Sequence, residues 1–152
     1  MIQRIQTIYL ALAAIAMFLT FAFPFGKLSV GIEEYLFDAS GMMVNGKNII
    51  AIPYGIIAAL LGTIILVVIF LYKNRTLQMK INRVLYFLLL AYFIMLIVSF
   101  SGASSKIPMG ENALKAYGVA LYFPMGALAM IFMANVNIMR DEKLVRSLDR
   151  LR

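Results

Sequence analysis

The sequence predicts an all-α integral membrane protein with four transmembrane helices, a short outer loop containing a β-hairpin, and a C-terminal cytoplasmic amphipathic helix. Composition is the first reason: 63% of the 152 residues are hydrophobic and 14% are charged, whereas soluble domains are roughly 45–50% apolar and about 25% charged. The second is where the charges fall. They leave four uncharged runs, Ile5 to Gly26, Asn48 to Tyr72, Val84 to Ser105 and Ala116 to Met139, each longer than the about 20 residues a helix needs to cross roughly 30 Å of hydrocarbon. The third is periodicity. The runs lack the strict alternation of a membrane barrel, so their backbone groups must be satisfied within helices. A single membrane domain over 1–152 follows, with spans at about 5–25, 49–72, 82–102 and 116–139 and a tail over 140–152.

The first span follows a small basic segment, Met1 to Arg4, as a secretory signal would. It ends in Phe21, Phe23, Pro24 and Phe25 rather than in the spaced small residues that a signal peptidase accepts, so it is expected to stay as an anchor. Orientation follows from the bases, because translocating Lys and Arg is disfavoured. Ten lie on one side: Arg4, then Lys73, Arg75, Lys80 and Arg83 in the second connection, and Arg140, Lys143, Arg146, Arg150 and Arg152 in the tail. Four lie on the other: Lys27, Lys47, Lys106 and Lys115. Both termini are expected in the cytoplasm, with the chain multi-pass in the membrane. The net charge of +7 is then explained by orientation and anionic headgroups, and no nucleic-acid partner is expected.

In the second span, Gly55, Ala59 and Thr63 recur at four-residue spacing beside Ala58 and Gly62. Small side chains in a stripe let another helix approach closely, so Gly55, Ala59, Gly62 and Thr63 read as a packing face, within the bundle in preference to a dimer seam. Pro53 falls near the start of this helix, where its missing N–H costs little. Pro124 falls near the middle of the fourth span between Gly118 and Gly126 and is expected to kink it. Asn135 and Asn137 read as interhelical or interfacial polar groups.

The outer loop, Lys27 to Lys47, reads as a hairpin or pair of strands through Leu28, Val30, Ile32, Tyr35 and Phe37 followed by Met42 to Val44, with turns at Gly41 and Asn45-Gly46. The third connection, around Gly110-Glu111-Asn112, reads only as a turn. In the tail, Leu144, Val145, Leu148 and Leu151 recur at helical spacing among five bases and three acids, the pattern of an amphipathic helix continuing the fourth span. Leu144, Arg146, Leu148, Arg150, Leu151 and Arg152 are the residues expected to meet the inner leaflet or a protein partner.

Zero His and zero Cys remove the usual ligands for zinc, haem and iron–sulfur clusters, the imidazole and thiol catalysts, and every disulfide. Met130 and Met133, three apart, are too few thioethers for a copper site and read as flexible packing. Tyr9, Tyr54, Tyr72, Tyr86 and Tyr117 lie towards run ends, as headgroup-level anchors do. No catalytic residue, metal site or cofactor is expected.

The opening MIQRIQTIYL, the FPF after the first span, the basic KNRTLQMKINR and the ending DEKLVRSLDRLR together bracket nearly the whole chain. With them the chain resembles a family of small four-span inner-membrane proteins of Bacteroidetes, the domain of unknown function 4293. The resemblance implies a bacterial inner-membrane location and supplies no activity. The sequence thus points to a non-enzymatic membrane subunit or accessory factor. Its partners would be membrane lipids and a larger membrane or cytoplasmic protein. The alternative is a small transporter or channel acting as a homo-oligomer.

Overall fold

The computed structural model describes residues 3–44, 47–50, 52–106 and 114–149, with side chains described within 5–44, 52–72, 74–102 and 114–142. It is mostly helical. Four helices, α1 (Gln3–Leu19), α2 (Tyr54–Phe70), α3 (Arg75–Lys106) and α4 (Tyr122–Asp149), carry a small antiparallel sheet at one end. Two stretches are long and apolar enough to cross a membrane: Arg75–Gly102 in α3, with mean hydropathy 2.5, and Val119–Glu142 leading through α4, with mean hydropathy 1.8. Helices α1 and α2 are apolar but have 17 residues each, about 25 Å at 1.5 Å per residue.

Helices α2 and α4 start later than their uncharged runs because strands take residues in front of them. Strand β1 (Gly26–Val30), β2 (Glu33–Asp38), β3 (Gly41–Val44) and β4 (Lys47–Ile50) follow α1, and β5 (Leu114–Tyr117) precedes α4. The expected hairpin is therefore part of a five-stranded sheet in the order β4-β3-β2-β1-β5. Residues 107–113, where the turn of the third connection was expected, and Asn45-Gly46 lie outside the described residues.

Local chemistry sets the turns. Val30 pairs with Glu33, which leaves Gly31 and Ile32 as a two-residue connection; Gly31 has φ 62°, a conformation glycine adopts without steric cost. Ile32, expected within a strand, is instead the fully exposed tip of that turn. Between β2 and β3 the Asp38 carboxylate accepts from both the Ser40 amide (2.8 Å) and its hydroxyl (2.6 Å), closing a side-chain turn. On the same strand the Tyr35 hydroxyl donates to Glu33 at 2.8 Å, and that bond, with burial and the Glu33 charge, raises the phenol above its ordinary pKa.

The place of Pro124 is a correction. Because β5 uses Leu114–Tyr117 and a 3-10 turn uses Val119–Leu121, α4 begins at Tyr122 and Pro124 is its third residue. First-turn donors have no intrahelical partner, so the proline starts the helix and the expected mid-helix kink is not formed. The α2–α3 connection is a 3-10 turn, Leu71–Lys73. Asn74 then caps α3, its side-chain oxygen accepting from the Leu77 amide at 3.2 Å.

The helices run alternately up and down. Gln6 near the start of α1 meets Asp141 near the end of α4, while the Gly118 amide before α4 donates to the Phe25 carbonyl after α1 at 2.8 Å. Helix α1 packs on both α2 and α4, and α4 on α3. Alanines at the centre, Ala13 and Ala14 of α1, Ala58 of α2, and Ala127 and Ala134 of α4, are all buried, which lets the backbones approach closely. Leu10, Met17, Leu61, Ile65, Leu85, Leu89, Leu96 and Ile131 fill the space between them.

The sheet lies over the far end of this bundle. Its inward Leu28, Phe37 and Met42 are buried, and the Phe37 ring lies 5.6 Å from Phe25, 5.1 Å from Tyr54 and 5.5 Å from Phe100, centroid to centroid. Offset and edge-on rings at such distances attract beyond their area of contact. Gly118 is required where β5 meets the end of α1: a Cβ there would stand 2.1 Å from the Pro24 carbonyl oxygen.

Candidate functional site

The buried stripe of each helix follows helical spacing, and at the end opposite the sheet several stripes turn polar. Along α1 it reads Gln6, Leu10, Ala13, Ala14, Met17; along α3, Gln78, Asn82, Leu85, Leu89, Tyr92, Leu96, Phe100; along α4, Ala127, Leu128, Ile131, Ala134, Ile138, Asp141. Gln6, Gln78, Asn82 and Asp141 thus occupy core positions. Each is at most 6% exposed, which sets them apart from the usual solvated polar group at a helix end.

Three of the four are matched. The Gln6 amide donates to the Asp141 carboxylate across α1 and α4, a charge-assisted bond that ties the first helix to the last. The Gln78 amide donates to the Val68 carbonyl of α2 at 3.1 Å, joining the Leu71 amide that closes the end of that helix on the same oxygen. Asn82 differs: it is 1% exposed, and neither its side-chain oxygen nor its nitrogen has a hydrogen-bond partner. Across from it on α4 the Asn135 oxygen is also buried without a partner. Both residues line a cavity of about 310 Å³ between α3 and α4, together with Arg83 and aromatic and aliphatic side chains. Asn137, the other amide singled out in the sequence, is occupied locally, donating to the Met133 carbonyl of its own helix at 3.0 Å.

The small-residue stripe of α2 is split by the packing. Gly55, Ala58 and Gly62 face inward. A Cβ on Gly62 would come within 3.2 Å of the Phe18 ring and 3.4 Å of Met17 of α1, and one on Gly55 within 2.8 Å of Phe21 and 3.2 Å of the Ala39 carbonyl. Ala59 lies at the margin, half-buried, and Thr63 is exposed, its hydroxyl donating to the Ala59 carbonyl at 2.8 Å. Within the bundle the stripe serves the α1–α2 contact through its glycines, whereas Ala59 and Thr63 look outward.

Helix α4 continues unbroken to Asp149, so the backbone of Leu144, Arg146 and Leu148 is helical. Their side chains, and Arg150, Leu151 and Arg152 entirely, lie outside the described residues. Of the two methionines weighed for copper, Met130 is half-buried and Met133 exposed. Among the described residues no three His, Cys, Asp or Glu side chains come together as a metal site would require.

Sequence reasoning missed Asn82, Gln6 and Asp141 because it used charges to delimit the spans and counted Asp141 as a cytoplasmic acid. A signal was present: Asp141 falls three residues beyond Ile138, and Gln6 four before Leu10, each on the apolar stripe of its helix.

With this geometry in view, the chain belongs to the family described as domain of unknown function (DUF4293), which matches residues 2–151. Among curated proteins none matches it.

Proposed function

We propose that this member of the DUF4293 family is a four-span protein of a bacterial cytoplasmic membrane, both termini cytoplasmic, and that it acts as a non-enzymatic subunit or accessory factor for a larger membrane or cytoplasmic partner. The observation that carries the reading is that each helix is apolar on its outward face as well as its inward one. Ile8, Leu12 and Ile15 of α1, Ile56, Leu60 and Val67 of α2, Val84, Phe87 and Val98 of α3, and Met125 and Phe132 of α4 are all exposed. Water would not tolerate such a belt, but lipid would. Helices α1 and α2 pack beside the two longer ones, and in this reading they cross the membrane with them. A chain without His or Cys offers neighbours surfaces rather than reactive groups. The outward Ala59–Thr63 edge and the basic continuation of α4 are the surfaces we assign to the partner.

Two measurements test this. Reporter fusions at Ser40 and Ser104 should be active on the periplasmic side, and fusions at Thr76 and the C-terminus on the cytoplasmic side; the reverse pattern at Thr76 would refute the topology. Tagged full chain purified from native membranes in mild detergent should bring one protein in stoichiometric amount, lost when Leu144, Leu148 and Leu151 are changed to Ser. A homo-oligomer that conducts solute in vesicles would refute the accessory role and establish a transport one.

A further inference from the structure

Asn82 and Asn135 stand on facing helices with three amide atoms unmatched between them: the nitrogen and oxygen of Asn82 and the oxygen of Asn135. All three are closed off from solvent, so water does not supply the missing bonds, and in the membrane reading above hydrocarbon supplies none either. Nor does Asn82 use the local remedy that Asn137 takes, a carbonyl four residues back on its own helix. The unmatched set has a particular chemistry. A primary amide carries both donors and an acceptor, so two of them facing each other can bond reciprocally, N–H to O in each direction. Such a pair would match the Asn82 nitrogen with the Asn135 oxygen and the Asn82 oxygen with the Asn135 nitrogen, removing all three deficits by one approach of α4 to α3. The space for that approach is the cavity beside them, about 310 Å³ and walled mostly by Tyr86, Phe87, Ile131 and Phe132.

The bonds that hold α4 permit it. Its sheet end is fixed: the Gly118 amide donates to the Phe25 carbonyl at 2.8 Å, the Ala120 amide to the Pro24 carbonyl at 3.3 Å, and the Phe123 ring lies 5.8 Å from Phe23. Its other end leans on α1 through Gln6 and Asp141, and Asp141 lies about 9 Å along the helix from Asn135. We propose that α4 rocks about its sheet end between two seats. In the seat seen here Gln6 holds Asp141 and the asparagine atoms go unmatched; in the other, α4 lies closer to α3, Asn82 and Asn135 are paired, and the Gln6–Asp141 bond is released. Each seat makes hydrogen bonds that the other forgoes, the balance a two-state element needs. Because α4 runs unbroken from Tyr122 to Asp149, the seat sets the direction of its basic continuation. The rocking therefore regulates the partner surface assigned to that continuation, and in this it rests on the accessory reading above.

The test is a pair of distances in the full chain, measured by pulsed electron spin resonance in detergent micelles. The chain has no Cys, so spin labels attach only where one is introduced. Lys80→Cys with Met139→Cys reports the separation of α3 and α4, and Ile5→Cys with Met139→Cys that of α1 and α4; all three positions are exposed. Gln6→Leu should shorten the first distance and lengthen the second, shifting the populations about tenfold, the worth of one hydrogen bond. Asn82→Leu added to Gln6→Leu should reverse both changes. Distances that ignore Gln6→Leu would leave α4 a single seat and overturn the proposal. A shift that Asn82→Leu does not reverse would be motion without the amide pair and would overturn it equally. If Asn82→Leu does not fold, Asn135→Ala, at a half-buried position, serves for the reversal. The distances decide the rocking with or without a partner: expected shifts in a chain with which no protein co-purifies would refute the accessory reading and leave the two seats standing.

Discussion

At the end under the sheet, the bundle is closed by the rings of Phe25, Phe37, Tyr54 and Phe100; at the opposite end it is closed by Gln6, Gln78, Asn82 and Asp141. Rings attract through offset and edge-on contacts and need no hydrogen-bond partner, so the aromatic end is closed by packing, with the Tyr54 hydroxyl its one unmatched group among the described residues. Amides and carboxylates need a partner for each donor and acceptor, and a core position allows little freedom to find one. The polar end accordingly leaves more hydrogen-bonding groups unmatched, at Asn82 and Asn135. The contrast teaches that unmatched hydrogen-bonding groups in this fold gather where polarity enters the core.

The largest break in that comparison is expected from the aromatic end. Gly118→Ala sets a methyl against the Pro24 carbonyl, with no flexible side chain to give way, and should cost about 3 kcal/mol in denaturant unfolding of the purified chain. A variant melting like the parent would mean that β5 is not held against β1. Next comes the polar end, where Asp141→Leu or Gln6→Leu alone strands a buried partner and should cost about 1–3 kcal/mol. The double change should recover most of the loss, and a double-mutant cycle with zero coupling would show that the pair does not hold α1 to α4. Smaller still is the contrast within α2. Gly62→Leu meets Phe18 and Met17 and should lower stability by about 1–3 kcal/mol, whereas Ala59→Leu should change it by less than about 1 kcal/mol and act on partner retention instead. Equal melting of the two variants would erase the distinction between an inward and an outward half of the stripe. The smallest effect concerns the one flaw at the aromatic end, the buried Tyr54 hydroxyl, which has no hydrogen-bond partner. Tyr54→Phe removes an unsatisfied group and should leave stability unchanged or raise it by up to about 1 kcal/mol. A loss instead would reveal a partner for that hydroxyl and make the two ends alike.

Much of the helical part was legible in the sequence because apolar runs and charge boundaries are local signals. The α3 run and the continuation of α4 past Arg140 follow from them directly. The hairpin strands were legible for the same reason, through Leu28, Phe37 and Met42 and the turn residue Gly41. Strand β5 was not. Leu114–Tyr117 has an edge strand's short length and all four of its residues are exposed, and its pairing with β1 joins Gly26 to Tyr117, a relation no local window contains. Losing sight of β5 also displaced the start of α4, which is why Pro124 read as a kink. At the polar end the residue types were visible but their facing was not, since an Asp among Arg140, Glu142 and Lys143 looks solvated until the stripe is followed one turn further.

The pairing of β1 on both sides has a consequence for synthesis. Its β2 neighbour is made within seconds, but its β5 neighbour appears only after α2 and α3 have been translated, roughly 5 to 20 s later at about 5–20 residues per second. Until then β1 is an open edge, the kind of surface that recruits strands from other chains. Lys115 arrives on the late strand opposite the buried Leu28, its ammonium settling 4.8 Å from the Phe100 ring, while the exposed Lys27 projects from the other face of β1. During that interval Lys27, exposed on β1, is the charge that discourages a foreign strand from pairing there, and β5 closes the edge when it arrives.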